Sequence, residues 1–146
     1  QKVFIIDESV KNNIALGEPS SEIDNNKLEK AIKQSQLEEL INELPEGINT
    51  ILGDKGIQLS GGQLQRIALA RAFYYERDVL IMDEATSSLD SETEKEIVNE
   101  IKKLKGKKTL IVVAHRVSTL IHCDYIYKLK DGVIVEKGSY HEVLKK

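Results

Sequence analysis

Three short stretches hold residue types that do chemistry. In "VLIMDE", Val79 to Glu84, two adjacent carboxylates close an apolar run. Asp83 can hold Mg²⁺ through its water shell while Glu84 takes a proton from an attacking water; the plainer alternative is a solvated strand end. In "LSGGQLQR", Leu59 to Arg66, two glycines after a serine lead into a helix, an arrangement that turns backbone N–H groups toward an anion. Phosphate-cradling loops of the form G-x-x-x-x-G-K-[ST] also supply a lysine, yet Gln63 stands here where a cation would help. "TLIVVAH" delivers His115, which is either a structural imidazole or a group that hydrogen-bonds a terminal phosphate. Asp90, ending "SSLD", can cap the next helix and serve the same site.

The elements that must position these groups read off the pattern. "VLIMDE" and "TLIVVA" are short apolar runs, expected as fully buried parallel strands. Acid, acid and imidazole then meet on one rim if the strands are neighbours, at the strand ends where open α/β sheets bind ligands. The helix opened by "SGGQ" carries Leu64, Ile67, Ala68, Ala72 and Phe73 inward, with Arg66 and Arg71 on its polar side. "SETEKEIVNEIKKL" is a second amphipathic helix, with Ser91 and Glu94 at capping-box spacing. Upstream, a strand is expected over Val3–Ile6, a short helix or turn around Val10 to Gly17, and one amphipathic helix from Lys27 to Leu44, stopped by Pro45. Downstream, "DYIYKLKDGVIVEKG" reads as a hairpin turning at Asp131-Gly132, and Ser139 with Glu142 opens a last short helix. Strand, helix, strand gives a three-layer α/β class with the early helices attached as a helical segment.

Composition narrows the partners. With 40% hydrophobic and 31% charged residues over 146 positions, the chain is ordinary for a folded domain and long enough to bury a core. A net charge of −3 leaves no basic footprint for nucleic acid or an acidic membrane surface. The lone Cys123 lacks a disulfide partner and metal-ligand companions, which points to a reducing compartment. No apolar run approaches the roughly 18 residues that span a bilayer, so these residues are expected to be soluble. The opening "QKVFII", starting on Gln1 and already strand-like, suggests a cut through a larger protein.

"LSGGQLQRIALARA", "VLIMDEATSSLD" and a strand ending in "AHR" occur in order and at family spacing, so the chain resembles the nucleotide-binding domain of ABC transporters over nearly its whole length. That resemblance implies a P-loop NTPase-like three-layer α/β fold, present in part, with an ABC helical subdomain. It implies two regions: 1–78, a Q-loop remnant with the helical subdomain and signature helix, and 79–146, the rear of the catalytic core. It implies ATP and Mg²⁺ as cofactors. Ser60, Gly61, Gly62 and Gln63 then belong to the signature that meets the γ-phosphate of an ATP held by a partner domain. Asp83 corresponds to the Walker B aspartate on Mg²⁺, Glu84 to the catalytic base, and His115 to the switch histidine. Ser87 to Asp90 corresponds to the D-loop at the dimer interface, and Gln1 to the Q-loop glutamine that links Mg²⁺ and water to the membrane domain.

The implied partners are a second ATPase domain, packed head to tail, and a transmembrane domain, with the assembly on the cytoplasmic face of the membrane. The missing lysine then has a reason: this loop reads a phosphate cradled by the other subunit. No G-x-x-x-x-G-K-[ST] segment occurs in the 146 residues, and the nearest approach, "KGKKT" at Lys105 to Thr109, lacks the first glycine and precedes a strand. The chain alone is therefore expected to bind ATP poorly and to hydrolyse none. "TILGDKG", Thr50 to Gly56, is similar to the T-x-x-G-[ED]-[RK]-G segment of exporters, whereas Asp7-Glu8 departs from the small residue and glycine common there and leaves the substrate open. Two other readings are a non-enzymatic fragment that only packs against a partner and a soluble, non-transport ABC ATPase; the acidic charge and "TILGDKG" speak against the latter.

Overall fold

Local capping chemistry sets where the helices begin and end in the computed structural model, which describes residues 3–113 and 120–144. Helix α1 (Val10–Ile14) starts at Ser9, whose hydroxyl accepts from the Asn12 N–H. Helix α2 (Asn25–Gln34) starts at Asp24, whose carboxylate accepts from the N–H groups of Asn26 and Lys27.

The single helix expected from Lys27 to Leu44 is two helices, α2 and α3 (Glu38–Glu43). Gln36 takes a left-handed φ of 57°. The Leu37 N–H returns to the Ile32 carbonyl at 3.0 Å and the Gln36 N–H to the Lys33 carbonyl at 3.2 Å, the pairing of a Schellman stop. Buried Ser35 bonds back to the Ala31 carbonyl at 2.8 Å, and Leu37 is fully buried beyond the break. The apolar period continues across the stop, which is why periodicity alone joined the two segments. No strand forms over Val3–Ile6; the segment runs without ladder pairing and is held instead by Asn13.

A 3₁₀ turn (Gly47–Asn49) leads to the central helix α4 (Gly61–Tyr74), on which α1 and α2 pack. Ile67, Leu69, Ala70, Phe73 and Tyr74 of α4 join Val10, Ile14, Leu28, Leu37 and Leu52 in one core. Leu64, Ala68 and Ala72, expected inside, are half-buried. Arg66 and Arg71 are not on a solvated face. Arg66 donates to the Gln36 carbonyl at 2.7 Å, and Arg71 donates through Nε to the Asn13 carbonyl at 2.5 Å. Arginine forks satisfy buried carbonyls that no helix ladder reaches. Burial lowers the Arg71 pKa from its ordinary value.

Strands β1 (Val79–Asp83) and β2 (Thr109–Val113) pair in parallel, with Val79 opposite Thr109 and Asp83 opposite Val113. Helix α5 (Ser91–Lys102) makes the crossover between them. Contrary to the expectation of full burial, the described residues cover only one face of this pair. Leu80 and Met82 are buried, while Val79 is 52% and Ile81 71% exposed. The apolar composition is that of a strand covered on both faces, and these residues supply a cover for one. Strands β3 (Ile126–Lys130) and β4 (Val133–Gly138) form the expected hairpin, with positive φ at Asp131 and Gly132. Helix α6 (Tyr140–Leu144) ends the described chain; the Glu142 carboxylate accepts from the Ser139 N–H at 2.7 Å.

Candidate functional site at the start of the central helix and the end of the first strand

Ser60 is the N-cap of α4. Its hydroxyl accepts from the Gln63 N–H at 3.3 Å, and the Gln63 side-chain oxygen accepts from the Ser60 N–H at 2.8 Å. This reciprocal box fixes the turn and leaves the first helical N–H groups, those of Gly61 and Gly62, without an intrahelical acceptor. The helix dipole adds partial positive charge at the same place.

Each glycine here has its own steric reading. A Cβ on Gly62 would lie 2.9 Å from the Ser88 carbonyl oxygen, so the backbones of the two loops pass where no side chain fits. A Cβ on Gly61 would meet nothing closer than the Ser88 Cβ at 3.7 Å. The turn at Ser60–Gln63 and the backbone at Ser88 and Leu89 therefore pack against each other, an arrangement that residue spacing did not disclose.

Asp83 ends β1 with an exposed side chain, and Glu84 follows with a left-handed φ of 50°. The Glu84 N–H donates to the Val113 carbonyl at 2.9 Å, so the β1 and β2 ends do share a rim, as expected for neighbouring strands. The Ser87 N–H closes a turn on the Glu84 carbonyl at 3.0 Å.

Asp90 is the N-cap of α5: one carboxylate oxygen accepts from the Glu92 and Thr93 N–H groups at 3.1 and 3.0 Å. The Thr93 backbone N–H, followed by its hydroxyl, holds the Asp90 pKa below its ordinary value. Ser91, expected to cap this helix, is its first residue instead. Glu94 turns inward and accepts from the Thr86 hydroxyl at 3.4 Å. Gln1 and His115 lie outside the described residues.

One residue of the site was missed. Gln65 donates through Nε2 to the Glu84 carbonyl at 3.2 Å and to the Ser87 hydroxyl at 3.0 Å, and its Oε1 accepts from the Ser88 N–H at 2.9 Å. A signal for it existed: Gln65 is four residues after Gly61 and three after Gly62, so it shares their helix face.

The donor set fits the ligands that the sequence resemblance implies. Bare N–H groups at a capped helix start suit a phosphate oxygen. Among the described residues no three His, Cys, Asp or Glu side chains converge. A single exposed carboxylate such as Asp83 suits Mg²⁺, which keeps several waters and takes one or two protein carboxylates beside phosphate oxygens.

The family model described as ABC transporter matches residues 1–87. The chain is 43% identical over 146 residues to the multidrug resistance-like ATP-binding protein MdlA of Buchnera aphidicola subsp. Schizaphis graminum, covering 99% of this chain and 25% of that protein. It is 44% identical over 144 residues to the ATP-dependent lipid A-core flippase of Pseudoalteromonas translucida, again 99% of this chain and 25% of the relative. A solved structure described as a bacterial Atm1-family ABC exporter with ATP bound superposes with a TM-score of 0.86 at 33% identity, covering 97% of this chain and 24% of that one. The chain thus spans about a quarter of the length of the relatives it matches. No described helix is long and apolar enough to cross a membrane.

Proposed function

This chain belongs to the ABC transporter family, and we propose that it is the rear part of the ATP-hydrolysing domain of an exporter, working in a head-to-tail pair with a second such domain and coupled to a transmembrane domain at the cytoplasmic face of the membrane. The observation that carries this reading is the packing of the α4 start against residues 84–88, which joins a phosphate-seeking turn to a paired-carboxylate strand end. Similarity to an ABC exporter over 97% of the chain and to a lipid A-core flippase over 99% of it supports the transport role.

Magnesium-bound ATP, when present, supplies the phosphoryl group whose transfer to water is the reaction. Asp83 is the residue that would hold the cation. Glu84 takes the proton of the attacking water, a role for which a rim position beside a metal ligand is suited. Ser60 and the Gly61 and Gly62 N–H groups face the phosphate held by the partner domain and offset charge as it develops there. His115 is assigned to hydrogen-bond the terminal phosphate, Gln1 to link the metal site to the membrane domain, and Asp90 to hold its loop at the interface. The 146 residues contain no G-x-x-x-x-G-K-[ST] segment, so turnover belongs to the full-length protein and the isolated chain is expected to show none.

Glu84→Gln in the full-length protein tests the assignment. The amide is nearly isosteric but accepts no proton, so kcat should fall by roughly 10²–10⁴ while ATP binding is kept. Turnover within a few fold of wild type would remove Glu84 from the role of base.

A further inference from the structure

We propose that Gln65 is a positioning residue: its amide sets the backbone at Glu84 and ties the proposed base to the phosphate-facing turn at the start of α4. The inference rests on the reading of Glu84 given above and adds a residue to it.

The geometry is specific to an amide. Nε2 donates to the Glu84 carbonyl at 3.2 Å and the Ser87 hydroxyl at 3.0 Å, while Oε1 accepts from the Ser88 N–H at 2.9 Å. Donor and acceptor are both needed, and the amide carries both at one side-chain end whereas the isosteric carboxylate of glutamate only accepts. What they hold is a backbone that would not choose its conformation. Glu84 has φ 50°, a left-handed state that brings the Cβ too close to the following carbonyl oxygen and is disfavoured for any residue but glycine.

Such a conformation persists only when its surroundings over-determine it. On the N–H side that restraint is the Val113 carbonyl; on the carbonyl side it is the Ser87 N–H together with Gln65. Since the Cα geometry at residue 84 aims its carboxylate, loosening the carbonyl side misdirects the base even if every chemical group remains. The same amide stands one helical turn beyond Gly61 and Gly62. A phosphate drawn onto the α4 start therefore acts on the rigid helix that holds Glu84, so one side chain joins the site that α4 serves to the site that Glu84 serves.

The test uses the full-length protein, with Gln65→Glu, which keeps length but cannot donate, and Gln65→Ala, which adds no charge, each alone and combined with Glu84→Gln. The expected result is a fall in kcat of about 10- to 100-fold, as a small misplacement of a reacting group produces, with KM for ATP shifted less than about threefold. In the Glu84→Gln background neither substitution should lower the residual rate further, because the group they position is already gone. Wild-type kcat in both variants, with Glu84→Gln inactive, overturns the inference and leaves the proposed function standing. A loss that adds in full to that of Glu84→Gln also overturns it, since a purely structural defect acts regardless of the base. Full turnover in Glu84→Gln overturns the proposed function itself and the inference with it.

Discussion

Gly61 and Gly62 stand next to each other yet are glycine for different reasons. A Cβ at 62 collides with a backbone oxygen, so that position is closed to any side chain by packing. Position 61 has room: the nearest atom to an added Cβ is 3.7 Å away and φ there is not left-handed. If 61 is nevertheless glycine because an anion must approach its N–H, a carboxylate at that spot should abolish the function while sparing the fold. We expect Gly61→Ala and Gly61→Asp to melt within about 2–4 °C of wild type, the equivalent of about 1 kcal/mol in a chain of this size. Turnover should fall far more in the aspartate variant than in the alanine variant. Thermal melts beside ATPase rates check this; equal loss in both would make the site steric rather than electrostatic.

Helix α5 shows how an element and a site share a residue. Asp90 caps it with two N–H bonds, and those bonds hold its carboxyl below the ordinary aspartate value of 3.8. A depressed folded pKa means that the cap's charged contribution is present above the unfolded value and is lost as pH falls through the folded one. Asparagine is an equally good N-cap but does not titrate there. The melting-temperature difference between wild type and Asp90→Asn should therefore narrow or reverse as pH is lowered past the carboxylate range, and stay constant above it. A pH-independent difference would contradict the cap's electrostatic part.

Elements also show what could be read from the chain. The hairpin was legible because Asp131-Gly132 demands a left-handed turn, and α4 because a serine and two glycines lead into an apolar stripe at helical spacing. The α2–α3 break was not legible, since Gln36 adopts a positive φ without being glycine or asparagine and the apolar period runs through it. Nor was the inward turn of Arg71, whose partner is the carbonyl of Asn13, 58 residues away. Asp83 and Glu84 were visible as a pair on a strand end. The clamp by Gln65 is a contact over 19 to 23 residues, and only its helix face could be inferred.

At the scale of the molecule, the surface left bare is as informative as the site. Val79, Ile81, Ile111 and Val113 form one face of the parallel pair and are each about half exposed or more. Contiguous apolar surface of this kind on a parallel sheet marks a face built to be covered. On the proposed reading, the acid pair and the phosphate-seeking turn of this chain each contribute to a composite site. In that account the α4 start of one protomer completes the site whose base is Glu84 of the other.

The most direct measurement is complementation between two inactive full-length variants, Gly61→Asp and Glu84→Gln, assayed for ATP turnover separately and after co-assembly. If the turn acts on the partner's phosphate, a mixed pair places both lesions in one site and leaves the other intact, so turnover returns on mixing. If the turn and the base of one chain serve the same ATP, each site of the mixed pair carries one lesion. Turnover then stays at the level of the inactive parents, which would contradict the account.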